Sequence, residues 1–294
     1  MVVSPSHLGD AVMALPAIDA LAKHGPIQIT GPSWAADVYA HLLDGHPGES
    51  KSKPHTAVLF KPSFSAAWAV RKVPVRVGIS WDARWPLLTH AVVSAGRHRC
   101  DDFAALVQQV TQSTVSLGLP QLPTNSLPST KDLGLPARFA LILPGTASVK
   151  TVRWPHFSEL ANHLQQIGLV PIFAGGPVEE EWLPAWAAPH RHLPTLSLRQ
   201  VASVATKAER IVGNDSGLTH LAAAALRGAG RPVSNVHVVY GSTDPTHTGP
   251  PGATHHIGGQ PSCWACYAKT CSIGTPTCFA SNVDAIVTKI VPND

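Results

Sequence analysis

Charge is scarce in this chain. Asp, Glu, Lys and Arg make up 14% of its 294 residues, well below the roughly 25% of ordinary soluble domains. Long apolar runs are missing as well. No stretch approaches the roughly 18 uninterrupted apolar residues of a membrane-spanning helix. A basic segment followed by an apolar one is absent near Met1, so no signal peptide is expected and the expected location is cytoplasmic. No RNA- or DNA-binding signature interleaves the cations, which argues against a nucleic-acid partner.

What is present is a globular composition, 44% hydrophobic, punctuated by 27 prolines and 23 glycines. Apolar periodic segments continue between those breaks, so they indicate short connections and not disorder. The length suffices for two Rossmann-sized domains. The few charges are unevenly spread. Residues 51–99 hold Lys51, Lys53, Lys61, Arg71, Lys72, Arg76, Arg84, Arg97 and Arg99 against Asp82 alone, which is +8 there and −4 elsewhere for the net +4. Such a stretch attracts phosphates, carboxylates or an anionic membrane surface; a plain solvated face is the competing reading.

Short β-branched runs alternate with helical patterns, the signature of βα units around a parallel sheet. In the second half, 139–143, 169–174, 210–213 and 236–240 read as strands, with Pro171 suggesting an edge or irregular position. Helical spacing follows at Phe157, Leu160, Leu164 and Ile167, over 198–208, and over 218–226. In the first half 11–23 reads as one buried helix, and 27–30, 57–60 and 75–79 as strands. Pro120, Pro123, Pro128 and Pro136 punctuate a polar segment between the halves. The expected domains are therefore 1–130 and 131–294, with a ligand cleft between them.

Four segments carry chemistry. In Ser6-His-Leu-Gly-Asp10, Gly9 allows a tight turn, and Asp10 enters a helix start as either a helix-capping residue or a general base. Pro144 to Pro155 follows a strand and precedes a helix. There Gly145 permits close backbone approach, Thr146 and Ser148 offer hydroxyls, and Lys150 and Arg153 offset pyrophosphate charge. The Gly-Lys-Ser/Thr ending of a Walker loop is absent. Gly175-Gly-Pro-Val-Glu179 ends the next strand, where Glu179 could accept from a ribose or a base, or complement a helix dipole. Finally, Gly213 to His220 turns from a strand into an alanine-rich helix, with the N–H groups around Ser216 to Leu218 aimed at an anion and His220 in the first turn.

Taken together, SHLGDAVMALPAIDAL, PGTASVKTVRWPHFSELANHL, FAGGPVEEE, VGNDSGLTHLAAA, YGSTDP and the terminal cysteines resemble glycosyltransferase family 9, the bacterial ADP-heptose:lipopolysaccharide heptosyltransferases. The resemblance implies an α/β GT-B fold, two Rossmann-like domains facing a central cleft. It implies a metal-independent, inverting transfer, with Asp10 as base and no cofactor required. Donor contacts carried over are Thr146, Glu179, Asp215, Ser216, Gly217 and His220, joined by Gly145, Ser148, Lys150 and Arg153. Arg71, Lys72 and Arg76 are the candidates for a glycan or glycolipid acceptor, which would bring the enzyme to the inner face of the cytoplasmic membrane. The family's lysine just before Arg-Trp-Pro is Val152 here. Two other readings stand: a GT-B enzyme with another nucleotide-sugar, and a nucleotide-binding module without turnover.

Cys263, Cys266, Cys271 and Cys278 give C-x2-C-x4-C-x6-C, with Cys100 apart. A reducing compartment favours a structural zinc or iron over uncoordinated thiols, and disulfides last. Four protein ligands leave no open position, so a catalytic metal is not expected there.

Overall fold

The computed structural model describes residues 1–43, 53–146, 153–268, 270–281 and 283–290. The chain divides into two compact units, Met1–Pro120 and Gln121–Asp294.

The first unit holds β1 (Val2–Val3), α1 (Leu8–Met13), α2 (Leu15–Lys23), β2 (Ile29–Thr30), α3 (Ala35–Val38) and α4 (Ala40–Leu43). Then come β3 (Thr56–Leu59), α5 (Phe64–Ala69), β4 (Val75–Ile79), a 3-10 turn over Asp82–Leu87, β5 (His90–Val92) and α6 (Arg99–Thr111). Its five strands are parallel in the order β2-β1-β3-β4-β5. The single helix expected over 11–23 is two. Pro16 has no N–H to give to Val12, so α1 stops at Met13 and α2 restarts with the proline in its first turn. Val3, Ala57, Leu59, Ala66, Ala67, Val70 and Leu88 form a core cluster between the sheet and α5.

The second unit holds β6 (Phe139–Leu143), α7 (Phe157–Gln166), β7 (Val170–Phe173), α8 (Leu183–Ala187), β8 (Arg191–His192) and α9 (Leu198–Ala205). It continues with β9 (Arg210–Asn214), α10 (Gly217–Gly228), β10 (Val236–Tyr240), α11 (Pro245–Thr248), β11 (Thr254–Ile257) and α12 (Val283–Ile290). Six parallel strands run β11-β10-β9-β6-β7-β8. Every residue of β6 is buried, as a strand covered on both faces by helices requires. Pro171 sits within the sheet, not in an edge strand. Val170 and Ala174 give their N–H groups to Arg138 and Ile142 on the β6 side, so position 171 faces β8, whose pairing begins only at Ile172. No bond is lost to the proline there.

Residues 121–130 lie along this second unit as a strap. Leu122, 4% exposed, donates its N–H to Ala224 O at 3.0 Å. Ser203 Oγ donates to Pro128 O at 2.7 Å, Arg199 to Ser126 O, and Lys207 to Thr130 Oγ1. The strap runs so close to α10 that a Cβ at Gly228 would collide with the Leu122 backbone.

Candidate functional site

In an open parallel sheet, ligands bind beyond the C-terminal strand ends, at the point where the chain reverses its direction of strand addition. In the second unit β7 and β8 extend one side of β6, while β9, β10 and β11 extend the other. The reversal lies between β6 and β9. The loops leaving β6, β7 and β9 carry the residues read above as donor contacts.

Asn214, at the end of β9 and 1% exposed, ties that crevice together. Its Oδ1 accepts the Trp154 N–H at 3.2 Å, and its Nδ2 donates to Pro144 O at 2.7 Å. Both ends of the 144–154 loop are thereby fixed to β9. Ser148, Lys150 and Val152 fall outside the described residues. Arg153 lays its guanidinium 3.8 Å from the centre of the Trp182 ring. Burial lowers its pKa, opposed by the negative charge of Glu179, and its Nε is buried without a hydrogen-bond partner among the described residues.

Glu179 is 7% exposed and accepts the Gly176 N–H at 2.8 Å. No helix begins at 177; turns lead from there to α8 at Leu183, so this carboxylate does not serve a helix dipole. It tucks beneath the preceding loop instead. A Cβ at Gly145 would come within 2.8 Å of its carboxyl carbon, and one at Gly175 within 2.5 Å of its Cβ. The two glycines let the loops after β6 and β7 close over one carboxylate.

The β9–α10 turn is built to leave its N–H groups open. Ser216 occupies the position before α10 with extended backbone (φ −148°, ψ 160°), yet its side chain caps nothing. Its hydroxyl pairs with Thr219 Oγ1 at 3.1 Å, and Thr219 Oγ1 donates to Asn214 O at 2.8 Å. The N–H groups of Gly217 and its neighbours then face the crevice at the positive end of a twelve-residue helix. Beside them His220 Nε2 and Asp215 Oδ1 share a hydrogen bond of 3.3 Å. Open N–H donors at a helix start and a stacked guanidinium suit a diphosphate.

In the first unit the reversal lies between β1 and β3, and Asp10 sits in the first turn of the helix after β1. Its Oδ1 is 3.6 Å from Arg99 Nε, whose Nη1 lies 3.5 Å from Asp102 Oδ2. The Arg99 guanidinium stacks 4.5 Å from the Trp81 ring centre. Asp102 in turn accepts from Ser94 Oγ at 2.7 Å and Ala95 N at 3.0 Å. A carboxylate thus stands half-exposed beside an oriented cation. Of the acceptor candidates, Arg71 and Lys72 are exposed. Arg76 gives its guanidinium to the carbonyls of Val73, Pro74 and Leu87, which locks β4 to the 3-10 turn.

Cys263, Cys266, Cys271 and Cys278 line one pocket with Trp264, Ile273 and Pro276, and none is in a disulfide. Ala265 (φ 59°) and Tyr267 (φ 52°) turn the chain left-handed around the C-x2-C pair. Burial, and then the charges of the other three cysteines, push the Cys278 thiol up. Among the described residues no three His, Cys, Asp or Glu side chains are near enough to share an ion. Tyr267 fastens this loop to the one after β10: its N–H reaches Ser242 O at 2.9 Å, and its hydroxyl meets His247 Nδ1 at 3.2 Å.

The sequence reading missed Asn214, Thr219, Trp182 and Arg99. Asn214 and Thr219 lie inside a segment already singled out, but the Asn214 side chain bonds to distant backbone atoms that no spacing reveals.

Residues 55–275 match the family described as Glycosyltransferase family 9 (heptosyltransferase). The chain is 24% identical to lipooligosaccharide heptosyltransferase 2 of Haemophilus ducreyi, over 85% of each chain. It is 32% identical to lipopolysaccharide heptosyltransferase 1 of Pseudomonas aeruginosa, over 71% of this chain and 61% of that one. Among solved structures it resembles the ADP-heptose LPS heptosyltransferase II of E. coli with a TM-score of 0.73 and 21% identity, over 98% of this chain and 96% of the other.

Proposed function

Since the chain belongs to glycosyltransferase family 9, the heptosyltransferases, we propose that it moves a heptose from an ADP-heptose donor to a lipopolysaccharide-type acceptor. It is a glycosyltransferase of GT-B fold, α/β with two parallel sheets. The finer reading rests chiefly on one observation, the uncapped N-terminus of α10 at the strand-order reversal, next to Asn214, which holds the ends of the 144–154 loop. The E. coli structure of similar fold carries the same donor in its name.

In this reading the second unit, residues 121–294, takes the donor and the first, residues 1–120, the acceptor, so the boundary lies ten residues before the expected one at 130/131. The diphosphate accepts hydrogen bonds from the N–H groups of Gly217 and its neighbours and from Arg153, with Gly145 and Thr146 approaching it from the β6 loop and Ser216, its hydroxyl given to Thr219, holding the turn open. Ser148 and Lys150 belong to the same loop. Glu179, Asp215 and His220 meet the hydroxyls of ribose and sugar. Asp10 removes the proton from the acceptor hydroxyl as that oxygen bonds to the anomeric carbon. The bond from that carbon to the phosphate oxygen breaks, the configuration inverts, and ADP leaves with its charge held by the same donors. Arg99 orients the Asp10 carboxylate. Arg71, Lys72 and Arg76 supply positive charge toward an acidic acceptor, which being lipid-linked sets the enzyme at the cytoplasmic face of a membrane.

Catalysis needs no cofactor in this scheme. The cysteine quartet offers the donor chemistry of a structural zinc or iron, four sulfurs lining one pocket, but no three of them stand near enough here to share an ion, so binding one would require the four side chains to draw together. Such an ion would cross-link Cys263, Cys266, Cys271 and Cys278 and brace the loop after β10 through Tyr267. Elemental analysis showing neither metal bound to the purified protein would reject it.

Calorimetry with ADP, UDP, GDP and dTDP tests the donor, and ADP is expected to bind at least tenfold tighter than UDP, or about 1.4 kcal/mol. Asp10→Asn should bind ADP as wild type does, while transfer falls by at least about a hundredfold. Full turnover in that variant would remove Asp10 from the mechanism. Nucleotide binding by wild type without release of diphosphate would favour a binding module.

A further inference from the structure

A soluble helix normally turns its apolar side chains inward and polar ones outward. The helix α5 does the reverse on its outer side. Ala66, Ala67 and Val70 pack into the core with Leu88, while Phe64 and Trp68 stand 52% and 50% exposed. Phe64, Trp68 and Arg71 follow at i, i+4 and i+7, hence on one stripe. The two rings are stacked, 6.2 Å between centroids and 16° between planes. The Arg71 guanidinium lies 4.5 Å from the Trp68 ring centre and donates to Trp68 O at 2.9 Å. Lys72 beside it is exposed. Trp85, 63% exposed, extends the surface from the 3-10 turn packed against α5. Among the described residues the exposed Phe, Trp and Tyr side chains are Phe64, Trp68, Trp85 and Tyr267; two of these four stack on α5 and a third stands on the turn packed against it, so chance scatter is a poor account of them.

We propose that this face, Phe64, Trp68 and Trp85 with Arg71 and Lys72, docks the protein on a bilayer containing anionic phospholipid. The proposal deepens the reading of a lipid-linked acceptor, and rests on it only for its purpose. Tryptophan favours the headgroup region, where an apolar ring and a polar N–H are both satisfied. Cations at the edge of an aromatic plate then meet lipid phosphates. A second copy of the chain is the poorer occupant. A two-fold contact sets each face against itself, and here that would bring like cations together. The sequence points the same way, since the 51–99 stretch opposes nine cations with one carboxylate.

Flotation of the full chain with phosphatidylcholine vesicles, and with vesicles also containing phosphatidylglycerol, tests this. Wild type is expected to bind the anionic vesicles alone and to lose that binding in concentrated salt, as screening shortens. Phe64→Ser combined with Trp68→Ser, and separately Trp85→Ser, should each weaken partitioning at least about tenfold, the expected scale for withdrawing large aromatic surface. Circular-dichroism melting and ADP binding of these variants should match wild type, which separates lost docking from lost folding. Equal binding to both vesicle types, or wild-type binding by the variants, would overturn the proposal. So would a wild-type dimer in sedimentation that the Phe64→Ser/Trp68→Ser change makes monomeric. Failure of wild type to bind any nucleotide would sink the transferase reading and leave the docking result standing.

Discussion

Asn214 commits both ends of its amide to one loop. Replacing it by leucine, similar in shape, leaves the Trp154 N–H and Pro144 O without their partners, at a cost of about 1–3 kcal/mol for each group that stays buried. The expected result is a dissociation constant for ADP raised at least tenfold, with a smaller change in kcat once donor saturates. If calorimetry finds Asn214→Leu binding ADP as wild type does, the loop is not positioned by this residue. Asn214 was visible in the sequence only as part of a strand-to-helix turn. Its partners lie 60 and 70 residues away, beyond what local pattern can report. Glu179 was legible as a candidate because it follows a strand ending in two glycines; that it is covered by Gly145 was not.

Among the elements, α10 allows a test in which stability and binding move in opposite directions. Ser216 caps nothing, so Ser216→Asp would supply a better cap and a negative charge at the helix start, adding roughly 0.5–1 kcal/mol of stability. The same charge would repel a diphosphate. A melting temperature held or raised, together with ADP affinity lowered at least tenfold, is the expected pair of outcomes, read by calorimetry and thermal unfolding. Undiminished affinity would mean that the phosphates bind elsewhere. The bounds of β6 and β10 were readable because short buried runs, apolar in β6 and valine-rich in β10, end at turn residues. The division of 11–23 into α1 and α2 also had its signal in Pro16, which the apolar pattern on either side concealed.

For the molecule as a whole, alternating strands and helices disclosed the fold class, and the ordered motifs disclosed the family. Neither disclosed the buried pair His237 and His256. These neighbours on β10 and β11 share a hydrogen bond of 3.0 Å, and their pKa values are pushed down, chiefly by burial, to about 3 and about 4. In the unfolded chain both titrate near the ordinary value of about 6.5. The unfolded state therefore binds more protons below that pH, so the pair's contribution is complete above about 6.5 and declines as pH falls toward about 4. Urea midpoints should accordingly drop on acidification through this window, and less steeply when both residues are changed to phenylalanine. An equal slope in that variant would assign the effect to other histidines. The strap at 121–130 bears on how the protein can be dissected. A fragment begun at residue 131 would expose the α10 groove at Gly228 and leave the Ala224 carbonyl and Ser203 hydroxyl without their partners. One begun at 121 would carry its own cover. The ten residues that look like a hinge in the sequence are the part that an expression boundary, or a gene fusion, could least spare.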